Sequence, residues 1–296
     1  MINKKMKDGF YPALGTPTNA EGNLMVNSFG KQIELMIESG AKGVLCMGSM
    51  GKMASIRNSE YSNVAVQCVK VVKQRLPLMV GVMDCSVSRV LDRIEALGNI
   101  DIDGVVATVP YYHKLNAGEI VSFFRLLSVK SKYPVYMYDL PPVTQSPVSF
   151  GVMEALADIP NIKGIKTANL ALIQEMQRKN YRHDDFSVFY SGLDLFDMAI
   201  HAGIGKNLDG MFTCTPVNTG KLYKSADEGS LDECSRYLDN ILLLRNTLVK
   251  GNIFSAYSYA MELIGCPGNY QADYDVPISE TLKLEIYDVM KEIKEI

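Results

Sequence analysis

The chain has 296 residues, of which 47% are hydrophobic and 21% are charged, a balance typical of a globular protein with a sizeable core. Its formal net charge of −3 gives no sign of the clustered basic surface that nucleic-acid binding requires. No stretch approaches the roughly 18–20 apolar residues of a membrane span, and the N-terminus lacks the apolar run of a signal peptide. We therefore expect a cytoplasmic protein with no nucleic-acid partner and no membrane association.

Short apolar runs rich in Val, Ile, Phe and Tyr recur along the chain. Continuous runs of four to eight such residues are typical of parallel strands that are buried on both faces. Eight of them precede residue 230, namely 10-FYPALGTP, 42-KGVLCMG, 78-LMVGV, 104-GVVATVP, 134-PVYMYDLP, 162-IKGIKT, 186-FSVFYSG and 208-LDGMFT.

Amphipathic stretches separate these runs and predict helices, most clearly over residues 28–39, 60–75, 88–97 and 117–130. Strands that alternate with helices indicate a parallel sheet. The count of eight predicts an α/β protein with a (β/α)8 TIM barrel over residues 1–230, with an open doubly wound sheet as the structural alternative. Residues 231–296 contain no strand-like run, and they predict helices near 231–249, 253–264 and 279–293. We expect this C-terminal helical extension to pack on the barrel as part of one structural unit.

The cysteines and histidines do not suggest a metal centre. The six cysteines include no C-x-x-C pair, so we interpret them as buried, reduced thiols. The three histidines, His113, His183 and His201, are dispersed along the chain. We therefore expect no metal ion.

Lys166 is the first candidate for chemistry. In a (β/α)8 barrel the active site lies at the carboxyl ends of the strands, and Lys166 lies near the end of the sixth run. Alternation along a strand places Gly164 and Lys166 on one face. If that face is the barrel interior, burial disfavours the ammonium form and leaves the free amine that attacks a ketone. The alternative is an ordinary lysine exposed to solvent at a strand end.

Hydroxyl groups and glycines follow neighbouring runs. Tyr138 ends the fifth run, and Tyr111 and Tyr112 follow the fourth. A phenol beside an imine can transfer protons, although packing is the more common role of tyrosine, and this chain has 16 of them. The second run ends in 48-GSMGK, where glycines on either side of a turn leave backbone N–H groups accessible to a carboxylate.

The segments GSMGK, PYYHK, YDLPP, GIKT and SGLD occur in an order that resembles the dihydrodipicolinate synthase/N-acetylneuraminate lyase family of class I aldolases. The resemblance covers nearly the whole chain. It implies that Lys166 forms a Schiff base with pyruvate or a related 2-oxo acid, that Tyr138 is the proton shuttle, and that Ser49 relays protons between Tyr138 and Tyr112. It also implies a homotetramer built from two tight dimers, in which Tyr112 crosses into the neighbouring site. The imine itself would stabilise the carbanion, so no cofactor is implied.

The resemblance also implies positions that bind substrate. They include the carboxylate turn with Gly48, Met50 and Gly51, together with Val143, Ala168, Gly192, Asp194 and Phe212. Several positions depart from the family: Met50 replaces a hydroxyl residue, Lys52 replaces an acid, and Val143 replaces an arginine that binds the second substrate's carboxylate. Because the set that binds sugar hydroxyls is also mostly missing, we expect a small aldehyde or other acceptor that is not richly hydroxylated.

The leading hypothesis is therefore a carbon–carbon lyase or synthase that holds pyruvate as an imine on Lys166. A second hypothesis is dehydration of a sugar acid through the same imine. A third is a catalytically inactive barrel that serves as a ligand-binding or regulatory protein, because a fold does not by itself guarantee an activity.

Overall fold

The computed structural model describes residues 6–181 and 185–296, so His183 lies outside the described residues. Eight parallel strands form one sheet: β1 (Gly9–Pro12), β2 (Val44–Cys46), β3 (Leu78–Gly81), β4 (Gly104–Thr108), β5 (Val135–Tyr138), β6 (Ile162–Thr167), β7 (Ser187–Tyr190) and β8 (Lys206–Asp209). β1 pairs with β8, and a parallel bridge between Ala13 and Leu45 joins β1 to β2. The predicted barrel is therefore confirmed, and the alternative of an open doubly wound sheet is excluded.

Helices follow the strands around the outside of the barrel. They are α1 (Val26–Glu38), α2 (Asn58–Val72), α3 (Val87–Ala96), α4 (Ala117–Lys130), α5 (Pro141–Thr144), α6 (Phe150–Ala155), α7 (Leu170–Arg178), α8 (Phe196–His201), α9 (Pro216–Asp227), α10 (Leu231–Leu248), α11 (Ile253–Leu263) and α12 (Glu280–Glu292). None of the described helices is long and apolar enough to cross a bilayer.

Large aromatic rings fill the barrel interior against glycines on adjacent strands. The rings of Tyr11 and Phe189 meet edge to face with centroids 4.8 Å apart. A Cβ on Gly164 would lie 2.6 Å from Tyr136 Cδ1, and one on Gly104 would lie 2.5 Å from Tyr136 Cε2. These strand glycines therefore make room for one large ring, the alternation of large and small side chains that close packing requires. Gly164 consequently faces the interior.

Two predicted segments differ from the structure for local reasons. The helix predicted to reach residue 75 ends at Val72, because Lys73 and Gln74 adopt left-handed φ angles of 46° and 59°. The eighth apolar run is only partly a strand, and Met211–Cys214 forms a 3-10 turn instead. Two side chains supply hydrogen bonds to backbone groups of that turn. Met211 N donates to Asp209 Oδ1 over 2.8 Å, and Thr213 Oγ1 donates to Gly210 O over 2.6 Å.

The C-terminal helices complete the fold. α10 packs along α9 and also contacts α8 and α12, while α11 contacts α12. α11 begins at an N-cap, where Asn252 Oδ1 accepts hydrogen bonds from Phe254 N and Ser255 N at 3.0 Å each. This cap places the start of α11 at the mouth of the barrel, where it lines the cavity described below.

Candidate active site

Three side chains share one level at the carboxyl end of the barrel. The strand register pairs Thr108 on β4 with Tyr138 on β5, and Tyr138 with Lys166 on β6. Residues that are paired across neighbouring strands point to the same face of a sheet, and Gly164 fixes that face as the interior. The hydroxyl of Thr108, the phenol of Tyr138 and the amine of Lys166 therefore belong to one interior layer.

Lys166 and Tyr138 are in direct contact. The Nζ atom of Lys166 lies 3.9 Å from the centroid of the Tyr138 ring, and the Lys166 side chain is only 8% exposed. The neighbouring Lys163 points to the other face and pairs with Asp185. The two lysines of one strand thus have different environments, and the amine of Lys166 is enclosed beside an aromatic phenol.

A buried carboxylate joins the ends of the same two strands. Asp139 accepts a hydrogen bond from Thr167 Oγ1 at 2.7 Å and one from Val148 N at 3.0 Å. Burial raises the pKa of Asp139, against the opposing effect of these hydrogen bonds and of the nearby Lys166 charge. Because Asp139 follows Tyr138 and Thr167 follows Lys166, this pair holds the two site residues at a fixed separation.

The turn after β2 lies beside this pair. The hydroxyls of Ser49 and Tyr138 are 3.4 Å apart. Among the described residues, the backbone N–H groups of Ser49, Met50 and Gly51 donate to no other group, so they remain available to an anion. A Cβ on Gly51 would lie 2.9 Å from Leu14 O, which explains why this close turn requires glycine.

A cavity of about 470 Å³ opens above the turn. Its walls are mainly apolar and come from distant parts of the chain, including Met53, Met83, Leu140, Val143, Ile253 and Phe254. Ser49 and Thr108 also line the cavity, whereas Lys166 does not line it directly. The phenol of Tyr138, which contacts both Ser49 and Lys166, therefore connects the enclosed amine with this cavity.

Tyr112 lies apart from these groups. Its side chain is 80% exposed in the single chain, and its ring stacks edge to face on His113 with centroids 4.8 Å apart. The preceding Tyr111 lines the cavity instead, and burial raises its pKa. Within one chain, the structure therefore brings together Lys166, Tyr138 and Ser49 but leaves Tyr112 at the surface.

The other predicted substrate positions have varied surroundings. Val143 lines the cavity and is 52% exposed, whereas Phe212 is fully buried among aromatic rings of the core. Ala168 is exposed, and Gly192 packs against the Tyr190 side chain. Asp194 pairs with Arg245 from α10, and a hydrogen bond from Arg245 lowers its pKa.

Met50 and Lys52, the two departures in the turn, make contacts that the sequence did not predict. The side chain of Met50 covers Gly210, where a Cβ would lie 2.0 Å from Met50 Cγ. The amine of Lys52 donates to Thr18 Oγ1 and Asn269 O at 2.8 Å each and to Gln271 O at 3.1 Å. Burial lowers the pKa of Lys52 to about 8. Lys52 therefore fastens the segment that follows α11 to the mouth of the barrel.

The motifs of the sequence include neither Thr108 nor the C-terminal wall of the cavity. Thr108 could have been noticed as a polar residue at the carboxyl end of an apolar run. The residues of the wall, which include Asn252, Tyr270 and Asp275, carry no local signal. In the described part of the chain, no group of three or more His, Cys, Asp or Glu side chains is arranged to hold a metal ion.

The chain resembles known proteins in sequence and in fold. Residues 6–294 match the model of the dihydrodipicolinate synthetase family. The chain is 23% identical over 287 residues to 4-hydroxy-tetrahydrodipicolinate synthase of Gluconacetobacter diazotrophicus, covering 96% of each protein. Among solved structures, dihydrodipicolinate synthase of Thermotoga maritima superposes with a TM-score of 0.89 at 22% identity, covering 98% of this chain and 100% of that one.

A second solved structure is that of YagE from Escherichia coli K12, a protein of the dihydrodipicolinic acid synthase family, in complex with pyruvate. It has a TM-score of 0.88 at 20% identity, and the match covers 97% of this chain and 98% of that one. These likenesses support the fold, and the family match extends over nearly the whole sequence. The chain belongs to the dihydrodipicolinate synthetase family and is a carbon–carbon lyase or synthase of that family.

Proposed function

We propose that this protein is a class I aldolase that binds pyruvate as a Schiff base on Lys166 and makes or cleaves a carbon–carbon bond to a small aldehyde. The observation that carries the proposal is the contact between an enclosed amine and a phenol, with Lys166 Nζ 3.9 Å from the Tyr138 ring centroid. The pyruvate complex of YagE supports the choice of 2-oxo acid.

The chemistry follows from the positions of these groups. The Lys166 amine adds to the ketone carbon of pyruvate and water leaves, which gives a protonated imine. Loss of a methyl proton yields an enamine, whose carbon forms a bond to the aldehyde carbon while the carbonyl oxygen takes up a proton. Hydrolysis of the imine then releases the product. In this proposal Tyr138 transfers these protons, and the 3.4 Å separation of its hydroxyl from that of Ser49 supports a proton relay between them.

The turn after β2 supplies the site for the pyruvate carboxylate in this proposal. Ser49, Met50 and Gly51 present backbone N–H groups with no other acceptor among the described residues. Backbone N–H groups that converge in a turn are a common anion site. Met50 offers no hydroxyl to the pyruvate carboxylate. Compared with a hydroxyl residue at this position, one hydrogen bond worth about 0.5–1.5 kcal/mol is lost.

Trapping the imine tests the proposal directly. The protein is incubated with pyruvate and borohydride, and its mass is measured. We expect one carboxyethyl group to be added, at Lys166 by peptide mapping, and Lys166→Ala to abolish it. Lys163→Ala is the matched control, because Lys163 lies on the same strand but faces outward, and it should trap pyruvate normally. An unmodified wild-type protein, or an adduct that survives Lys166→Ala, would contradict the proposal.

The exposed Tyr112 supports a further part of the proposal, a homotetramer in which this side chain completes the relay of a neighbouring site. An aromatic side chain that is 80% exposed is typical of a residue that becomes covered by a partner. Sedimentation analysis of the wild type tests the assembly. A monomer that turns over at the same rate per chain at all concentrations would contradict it.

A further inference from the structure

One polar atom in the layer of Lys166 has no assigned partner. Thr108 is 3% exposed, and within residues 6–181 and 185–296 its Oγ1 is the one buried side-chain nitrogen or oxygen that makes no hydrogen bond. Leaving a buried hydroxyl unpaired is unfavourable, and valine has the same shape without that cost. A threonine at this position is therefore explained if its partner arrives with a ligand.

The position of Thr108 indicates which part of a ligand it meets. It lines the cavity and is paired in register with Tyr138. It lies on β4, whereas the turn that would hold the pyruvate carboxylate follows β2. Rotation about χ1 moves the hydroxyl of a threonine to another staggered position while the backbone stays in place, so the hydroxyl can turn toward an occupant of the cavity.

Four other polar side chains that line the outer cavity already have hydrogen-bond partners within the chain. Lys52 donates to three oxygen atoms. Asn252 Nδ2 donates to Asp275 Oδ1 at 3.0 Å, and Asp275 Oδ2 accepts from Ala272 N at 2.9 Å. Ser55 Oγ donates to Lys52 O at 3.2 Å. A polyhydroxylated acceptor would therefore bury most of its hydroxyls against engaged or apolar groups on these walls, which disfavours it relative to an apolar acceptor.

We propose that Thr108 is a specificity-determining residue of the acceptor half of the site, and that the acceptor is an uncharged aldehyde with an apolar substituent whose single oxygen accepts a hydrogen bond from the Thr108 hydroxyl. This inference rests on the proposed aldolase function. In this proposal Thr108 itself transfers no proton. The hydroxyl stabilises the aldehyde oxygen while the enamine carbon bonds to the aldehyde carbon and that oxygen takes up its proton from Tyr138.

The test uses Thr108→Val and Thr108→Ser with pyruvate and three aldehydes: butanal, benzaldehyde and glyceraldehyde. We expect the wild type to prefer the two apolar aldehydes over glyceraldehyde. Thr108→Val should lower kcat/KM for an apolar aldehyde about threefold to tenfold, as expected for one lost hydrogen bond, and Thr108→Ser should restore it. The pyruvate concentration that gives half-maximal borohydride trapping should not change, and the unfolding midpoint of Thr108→Val should not fall.

Thr247→Val is the matched control. Thr247 is also a buried threonine, but its hydroxyl donates to Leu243 O at 2.9 Å on α10, and it does not line the cavity. It should retain wild-type kinetics with the apolar aldehydes. The inference would be overturned if Thr108→Val left the kinetics unchanged, or if it weakened pyruvate trapping as much as it lowered kcat/KM for the aldehyde. It would also be overturned if Thr108→Val lowered the unfolding midpoint and Thr108→Ser restored it, or if the wild type preferred glyceraldehyde. A wild type that traps no pyruvate would instead defeat the proposed function on which the inference rests.

Discussion

The hydroxyl of Thr167 donates a hydrogen bond to the buried carboxylate of Asp139 across 2.7 Å. Each of these residues directly follows a candidate catalytic residue, Asp139 after Tyr138 and Thr167 after Lys166. Asp139 N also donates to Lys166 O at 2.8 Å. Two adjacent strands are thus joined by a backbone and a side-chain hydrogen bond at the point where the amine and the phenol meet.

We expect Thr167→Val to loosen this junction. It leaves one oxygen of the buried Asp139 carboxylate without its partner, which costs about 1–3 kcal/mol. Urea unfolding should show this loss of stability, and the rate of borohydride trapping with pyruvate should fall. Thr167→Ser keeps the hydroxyl and should recover most of both properties. A Thr167→Val protein as stable as the wild type would show that the bond contributes nothing.

Tyr138→Phe should separate imine formation from proton transfer. The ring of phenylalanine still covers the Lys166 amine, so pyruvate should still be trapped by borohydride. Turnover with an aldehyde should fall about 10²–10⁴-fold, the usual contribution of a positioned acid or base. Ser49→Ala, which removes only the group 3.4 Å from the phenol, should reduce turnover less. Equal turnover in Tyr138→Phe and the wild type would remove Tyr138 from the mechanism.

Val143→Arg should change the charge of the acceptor that the cavity accepts. Val143 lines the cavity and is half exposed, so a guanidinium there can reach solvent and also a bound carboxylate. We expect kcat/KM for succinic semialdehyde, a carboxylated aldehyde, to rise about tenfold while that for butanal does not rise. Val143→Gln has similar polarity without charge and should not reproduce the gain. A parallel change for both aldehydes would argue against a specific role for this position.

Lys52 should give the folded protein a distinct pH dependence. Burial lowers its pKa from the ordinary 10.5 to about 8, so between these values the unfolded chain binds more protons than the folded one. The free energy of unfolding contributed by this group therefore rises as pH increases from about 8 toward 10.5. Buried tyrosines act in the opposite direction above about pH 10, so the useful window ends near pH 9.5.

The measurement compares urea unfolding of the wild type and Lys52→Met at several pH values from 7.5 to about 9.5. Lys52→Met should be less stable throughout, because Asn269 and Gln271 lose the donor to their carbonyl groups. The difference between the two proteins should grow as pH rises. A constant difference would show that Lys52 titrates in the same way in the folded and unfolded states.

The sequence alone predicted the eight strands of the barrel and placed Lys166 on the same strand face as Gly164, but it left open whether that face is the interior. Hydrophobic periodicity is a local property, so eight apolar runs and the helix over Ala117–Lys130 could be predicted from it. Alternation placed Gly164 and Lys166 on one face, and packing of the Tyr136 ring over Gly164 makes that face the interior.

Only the tertiary structure decided how distant segments meet. Lys52 contacts Asn269, Asp194 pairs with Arg245, and Thr108 faces a cavity whose far wall begins at Asn252. None of these contacts leaves a periodic signal, because each depends on which loops the closed barrel brings together at its carboxyl end. The partner of a polar side chain is set by three-dimensional proximity, and for that reason the composition of the cavity could not be predicted from the order of residues.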